Sequence, residues 1–309
     1  MNRVEQELAR IASETRATTG LSAIHIESGE SVSLNGSEPF VMASTYKVAI
    51  AVRMLNLVNQ GEASLDELID IKAEDFSPGS GVLTRFLGEG GLQVSIRNLL
   101  SVMLRLSDNT ASHLILRCAG GPESVTTYLR AKGIVDLRVD RSSKEILSDY
   151  AGVRGALADA QWSIEQFRTL ARAVNQPARR AAQDALMADP RDTCTPAAMA
   201  SLLAMIQRGE IVSEQSRDLL LAMLSRCKTG PARLKGMLPP KTFAAHKTGT
   251  LGANRANVIN DVGIIRLPKD RGHVAIAVFI QGQRRPRALY ERVIAQLGRC
   301  IYDYFTLIK

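Results

Sequence analysis

The chain has 309 residues, 45% of them hydrophobic and 23% charged, with a formal net charge of +8. This is the composition of a folded protein of one large or two smaller domains, and no apolar run approaches the roughly 20 residues needed to span a bilayer. The basic excess is dispersed, apart from Arg284-Arg285-Pro286-Arg287 and the pair Arg179-Arg180, and reads as a solvated face rather than a nucleic-acid site.

In chain order, Val4, Leu8, Ile11 and Ala12 recur at helical spacing over 2–19, with Gly20 as the stop. Met1 to Leu8 opens this amphipathic helix and carries no secretory-signal pattern. Residues 21–27 alternate, and Ser28-Gly29-Glu30-Ser31 followed by Val32 and Leu34 completes a hairpin. Residues 42–60 form one long apolar helix ended by Gly61. Residues 65–71 lead into a connecting stretch, and 75–81 is a loop by its turn residues. Ser95 caps a helix over 96–106, Ser107-Asp108-Asn109 interrupts it, and the pattern resumes over 110–119. Further helices are expected over 122–132, within the segment 162–187, from Thr195-Pro196 to about 207, and over 213–225. The period then falls to two, which predicts strands over 242–246, 257–267 and 274–281, before a last helix over 287–307. Strands first and last with helices between imply an α+β fold, an antiparallel sheet from both chain ends beside a central all-helical part. The expected domains are 1–36 with 235–309 around the sheet, and 37–234 as the helical domain.

Three short motifs stand out. Ser44 and Lys47 lie one helical turn apart, which places an amine beside a hydroxyl. A serine becomes a nucleophile only when a base takes its proton, and the apolar run 48–52 is a surrounding that disfavours the charge on the amine. S-x-x-K alone is weak, occurring about once by chance in a chain this long, and a second copy runs from Ser225 to Lys228. Downstream, however, come Ser107-Asp108-Asn109 and Lys247-Thr248-Gly249-Thr250, each expected by chance in roughly one chain in ten or fewer. A decoy at Lys228-Thr229-Gly230-Pro231 is separated from the last motif by chemistry. Pro231 has no N–H to offer a developing oxyanion, whereas Thr250 has one. Four cysteines, Cys118, Cys194, Cys227 and Cys300, show neither C-x-x-C nor metal spacing and read as free thiols.

S-x-x-K, S-D-N and K-T-G in this order form the signature of an active-site serine acyl-transfer enzyme, and nearly the whole chain resembles the class A β-lactamases and the penicillin-binding proteins related to them. The resemblance implies Ser44 as nucleophile, Lys47 as base, and Ser107 as the proton donor to the leaving nitrogen. Asn109 would contact the substrate amide, and Lys247, Thr248 and Thr250 its carboxylate, with Gly249 allowing close approach of the strand. The N–H groups of Ser44 and Thr250 would form the oxyanion hole. Arg233 stands where several members place a carboxylate-holding arginine, the alternative being a surface arginine. Phe76 stands where members carry an aromatic at the cleft mouth, the alternative being a loop anchor in the core. The resemblance also implies no cofactor or metal, a β-lactam or cell-wall peptide as substrate, a monomer, and export to the periplasm or beyond, so that the sequence would begin at the mature protein with an added methionine.

The chain departs from the family at one place. Members hold the water that cleaves the acyl-enzyme with a glutamate and an asparagine in a short loop closed by an Arg–Asp salt bridge. Here Arg141 and Asp192 match the bridge, but the loop 141–192 is enlarged by roughly three dozen residues, and its corresponding positions are Ser143 and Leu147. Glu145 is the nearest substitute, with Asp149 and Glu165 further off; the alternative is a solvent-facing Glu145 paired with Lys144 or Arg141. Three functions follow: a serine β-lactamase, a penicillin-binding protein or D-Ala-D-Ala peptidase that releases β-lactams slowly, and an idle binder of cell-wall peptides.

Overall fold

The computed structural model describes residues 3–87, 91–158, 162–252 and 255–307. Met1 and Asn2, included in the predicted first helix, lie outside them. The elements run α1 (Arg3–Ser13), β1 (Thr18–His25), β2 (Ser31–Leu34), β3 (Phe40–Val41), a 3-10 turn (Ala43–Tyr46), α2 (Lys47–Asn59), β4 (Leu68–Ile71), α3 (Leu83–Phe86) and β5 (Leu92–Ser95). The helical body continues with α4 (Ile96–Arg105), α5 (Asn109–Cys118), α6 (Gly121–Ala131), α7 (Ser143–Ala151), α8 (Arg154–Ala158), α9 (Ile164–Ala173) and α10 (Gln176–Ala188). After β6 (Thr193–Cys194) come α11 (Pro196–Arg208), α12 (Glu214–Ser225), β7 (Ala244–Gly252), β8 (Arg255–Arg266), β9 (His273–Pro286) and α13 (Arg287–Leu307).

The fold is α+β, with one five-stranded antiparallel sheet in the order β2-β1-β9-β8-β7. Strand alternation sends the two faces of β9 into different cores. Val274, Ile276, Val278 and Ile280 pack with Leu8, Ile11, Tyr290, Val293 and Leu297 of the terminal helices. Ala275, Ala277 and Phe279 face the other way, into the large core built on α2, α4, α5 and α11. This leaves β7 as an edge strand, beside the turn that carries Ser44.

Two expectations needed correction. The first helix ends at Ser13 and not at residue 19, because Arg16 takes a positive φ and Thr18 and Thr19, β-branched, already pair with β9. The long helix over 42–60 begins with a 3-10 turn, and its α-helical part starts at Lys47. Part of the connecting stretch, Leu68–Ile71, is a strand paired with β5.

The segment between Arg141 and Asp192 is folded into α7 to α10. Arg141 ties its two ends: Nε donates to Asp192 Oδ2 at 2.6 Å, and a terminal nitrogen pairs with Asp149 at 2.7 Å and Asp189 at 3.0 Å. Asp192 Oδ1 accepts the N–H groups of Asp140 and Arg141, while its carbonyl accepts from Met42 N, two residues before Ser44. Among the described residues Arg141 is the one ion-pair partner of buried Asp192, whereas Asp149 and Asp189 keep Arg154 and Arg191; Arg141→Ala should lower unfolding free energy in urea by about 3–5 kcal/mol, through the carboxylate it leaves buried and unpaired. Arg154→Ala, which breaks pairs at a side chain 41% exposed, should cost under about 1 kcal/mol. Equal effects would deny the Arg141 cluster its anchoring role.

Candidate active site

Ser44 lies in the 3-10 turn, following Ala43, whose φ of 46° is a left-handed value unusual for a side chain with a Cβ. Asn260 of β8 holds the approach to this turn, its Nδ2 donating to the carbonyls of Val41 and Met42, both at 2.9 Å. From the other side β7 presses against the turn: a Cβ on Gly249 would come within 2.6 Å of Met42 O. The space that glycine leaves open is thus used by the serine turn.

Behind Ser44, Lys47 is fully buried and points into the interruption between α4 and α5. Its Nζ donates to Asn109 Oδ1 at 2.7 Å and Ser107 O at 2.8 Å, with Asp108 O at 3.3 Å and Ser107 Oγ at 3.4 Å. Burial first, and the charge of Lys247 second, hold the amine's pKa well below its ordinary 10.5, against the pull of Asp108. Ser107 has a φ of 60°, a second left-handed non-glycine residue at the cleft. Asp108 maintains that turn: it caps α5 through Ala111 N at 2.9 Å and accepts from Val82 N and Leu83 N at 2.7 and 2.9 Å. Lys247, on β7, donates to the same Ser107 Oγ at 3.0 Å, and burial brings its pKa down to about 8 despite nearby Cys227 and Asp261. One hydroxyl therefore lies between two buried amines.

Arg233 is buried, not on the surface. Its guanidinium donates to Gly249 O at 3.0 Å, Asn260 O at 2.8 Å, Thr250 Oγ1 at 2.7 Å and Glu291 at 3.1 Å. Arg233, Thr248, Thr250, Thr229 and Arg287 line one end of a cleft of about 310 Å³ that also holds Ser44, Ser107 and Asn109. Thr229, from the decoy motif, meets Thr248 hydroxyl to hydroxyl at 2.5 Å. The decoy serine, Ser225, spends its hydroxyl on Ala222 O, at the end of α12.

The far wall differs from expectation. Ser143, Ile146, Leu147 and Tyr150 recur at i, i+3, i+4 and i+7 and turn one face of α7 to the cleft. Glu145 is on another face and does not line it. Its carboxylate accepts from Ser142 N and Oγ in a capping box at the start of α7, and pairs with Arg154 at 3.1 Å. Helix capping at Ser142 thus decides the carboxylate's direction. Ser143 instead bonds Tyr46 Oη at 2.7 Å, which also meets Ser112 Oγ at 3.1 Å; burial pushes the Tyr46 hydroxyl up to about 12. Among the described residues that line the cleft there is no Asp or Glu.

Phe76 also stands elsewhere than at the cleft mouth. Its ring is 1% exposed, packed in the helical core, because its backbone is pinned by Trp162 Nε1 at 2.8 Å and the next residue, Ser77, by Thr110. Gly79 and Ser80 of the same loop reach the cleft instead. Sequence reasoning passed over Tyr46, Tyr150, Ile146, Thr229 and Arg287. Tyr46 was visible inside the S-x-x-K motif, whereas Thr229 was set aside with the decoy motif and Arg287 with the Arg-rich cluster.

Comparison with known proteins follows this geometry. A family model described as the beta-lactamase enzyme family matches residues 3–305. Beta-lactamase VEB-1 of Pseudomonas aeruginosa is 24% identical over 97% of this chain and 89% of its own length. The imipenem-hydrolyzing beta-lactamase of Enterobacter cloacae is 26% identical over 96% and 88%. Among solved structures, a beta-lactamase from Chitinophaga pinensis superposes with a TM-score of 0.79 at 27% identity, covering 98% of this chain and 99% of that one. An ancestral class A beta-lactamase gives 0.77 at 28%, covering 98% and 100%.

Because Arg233 satisfies two buried carbonyls and Glu291, Arg233→Ala should destabilise the fold by about 3–5 kcal/mol in urea unfolding at neutral pH. Arg233→Lys keeps the charge but not the planar fork, and should recover only part of that stability. A wild-type midpoint in both variants would make the arginine's contacts incidental.

Proposed function

The chain belongs to the β-lactamase enzyme family, and from that premise we propose that it is a serine hydrolase that opens β-lactam rings through an acyl-enzyme on Ser44. The reading is carried by one observation, the Ser107 hydroxyl set between the amines of Lys47 and Lys247 beside the Ser44 turn. An amine whose charge is disfavoured by burial is a usable base near neutral pH. Lys47 takes the Ser44 proton as Oγ bonds to the lactam carbonyl carbon. The oxyanion is met by the N–H groups of Ser44 and Thr250, on the 3-10 turn and the edge strand. As the C–N bond breaks, Ser107 gives its proton to the nitrogen and is resupplied from a lysine. Asn109 takes the substrate amide, while Lys247, Thr248 and Thr250, with Arg233 behind them, take the carboxylate.

Release of the acyl group is a separate matter. We assign Glu145 no part in it, because its carboxylate is turned to Ser142 and Arg154; Ser143, Tyr46 and Tyr150 are polar residues that line the cleft. A second reading is favoured by that missing carboxylate: the same acylation without efficient release, as in a penicillin-binding protein or D-Ala-D-Ala peptidase. Among the described residues no helix is long and apolar enough to cross a membrane. A monomer working in the periplasm or outside the cell completes the proposal. So does a division into 1–36 with 235–309 and 37–234; its support is the smaller of the two large cores, whose buried residues all fall in the first part except Leu234.

Intact-mass spectrometry after mixing with penicillin tests both readings. A transient adduct on Ser44 is expected, absent in Ser44→Ala. An adduct that outlasts the substrate selects the second reading, and labelling that survives in Ser44→Ala removes Ser44 from the mechanism. Glu145→Gln should leave the decay of the adduct unchanged; a slower decay would return Glu145 to the cleft. The acylation rate should fall as pH drops and Lys47 takes up its proton, with a midpoint well below the ordinary 10.5. An acid limb absent from stopped-flow profiles would exclude Lys47 as the base.

A further inference from the structure

Immediately behind the Lys247 strand lies a second cluster of titratable groups that the acylation chemistry leaves unused. His246 is buried, and its Nδ1 is 2.9 Å from both oxygens of Asp261, itself fully buried on β8. Room for the imidazole is made opposite it by Gly263, where a Cβ would come within 2.8 Å of His246 Cβ and 2.4 Å of Ala245 O. The other ring nitrogen, Nε2, is buried with no hydrogen-bond partner, and Cys227 is an electrostatic neighbour of the imidazole. Cys227 Sγ is also 3.2 Å from Thr229 Oγ1, which meets Thr248 Oγ1 at 2.5 Å. Two short chains of contacts, Asp261 with His246 and Cys227 with Thr229 and Thr248, therefore lie behind the cleft.

The charges follow this geometry. Burial pushes the Cys227 thiol up, but His246, Lys247 and the Thr229 hydroxyl outweigh it and bring it to about 6. Burial lowers His246, while Asp261 and Cys227 raise it to about 9. Burial alone lifts Cys194, and burial is the leading cause of the upward shift in Cys118 and Cys300. Lys247 is faced by Cys227 and Asp261, which favour its charge, and by Arg233, which opposes it; Lys47 is its cationic neighbour across Ser107. Lys235 also feels Cys227 and Asp261.

We propose that Cys227 is a positioning residue for the substrate-carboxylate site, orienting Thr248 through Thr229 and acting on Lys247 from behind the strand. The proposal rests on the reading of Lys247 and Thr248 as carboxylate ligands. Loss of the thiolate moves Lys247's deprotonation to lower pH. A penicillin then binds more weakly at mildly alkaline pH, while at acid pH, where Lys247 stays protonated either way, it binds as before.

Two measurements on the full chain test this. In the first, iodoacetamide is applied across pH and the four cysteines are followed by peptide mass spectrometry. The sulfur displaces iodide to form a thioether, and Cys227 should react with a midpoint near 6, well below the other three, moving upward in His246→Gln. In the second, acylation kinetics with penicillin are compared for wild type, Cys227→Ser and Cys227→Asp, with melting curves to check the fold. The apparent binding constant of Cys227→Ser should weaken roughly tenfold at alkaline pH for each unit by which Lys247's midpoint falls, and Cys227→Asp should restore it. Superimposable pH profiles for wild type and Cys227→Ser would overturn the proposal, as would ordinary alkylation of Cys227. If wild type takes no adduct at all, the carboxylate-site reading falls, and the alkylation experiment still decides whether Cys227 is a thiolate.

Discussion

The site depends on the burial of two lysine amines around one serine hydroxyl. Placing Lys47 and Lys247 in a dry interior costs several kcal/mol for each if charged, and their mutual repulsion adds to that. The cost is met by apolar packing on the same elements. On α2 alone, Val48, Ile50, Val52, Met54 and Leu55 are essentially fully buried, each contributing about 1.5–3 kcal/mol. That packing outweighs the penalty and allows the protein to hold Lys47 where its charge is disfavoured, the property that the proposed acylation needs of a base. The turn at Ser107 to Asn109 then supplies acceptors for the amine, and Asp108 holds the turn through three backbone N–H groups.

Three elements that share no sequence neighbourhood converge on this arrangement. The Ser44 turn is braced by Asn260 on one side and by the close approach of Gly249 on the other. Arg233 ties the carbonyls of Gly249 and Asn260 together, so the edge strand and its neighbour are held at the same point. The left-handed backbone at Ala43 and Ser107 is tolerated because surrounding contacts over-determine it. Strain of this kind, of order 1–3 kcal/mol per residue, sits on both sides of the reacting position.

The enlarged loop gives the cleft its unusual far wall. Leu186 of α10 packs with Val41, Ala43, Leu251 and Val258, and Leu147, Tyr150 and Met187 join them. The insert is thus continuous with the small apolar core directly beneath the serine turn. Its first helix presents Ser143, Ile146, Leu147 and Tyr150 to the cleft, a largely apolar wall with two hydroxyls.

Much of this was legible without coordinates. The order S-x-x-K, S-D-N, K-T-G singled out Ser44, Lys47, Ser107 and Lys247, because each of the three motifs is local in sequence. Period-two segments at both chain ends implied the sheet because strand alternation is a local property. Glu145 and Phe76 could not be placed this way. The direction of Glu145 is decided by a capping bond to Ser142 and by Arg154, and that of Phe76 by Trp162, whose indole reaches it from 86 positions along the chain. Arg233 was readable as a candidate but not as buried, since its partners lie on β7, β8 and α13. The Cys227, His246 and Asp261 cluster had no motif at all, because its members come from three separate segments. Sequence by itself determined the residues that act within one turn or one strand; tertiary structure decided which distant side chains share a cavity, because burial and long-range pairing depend on how whole elements pack.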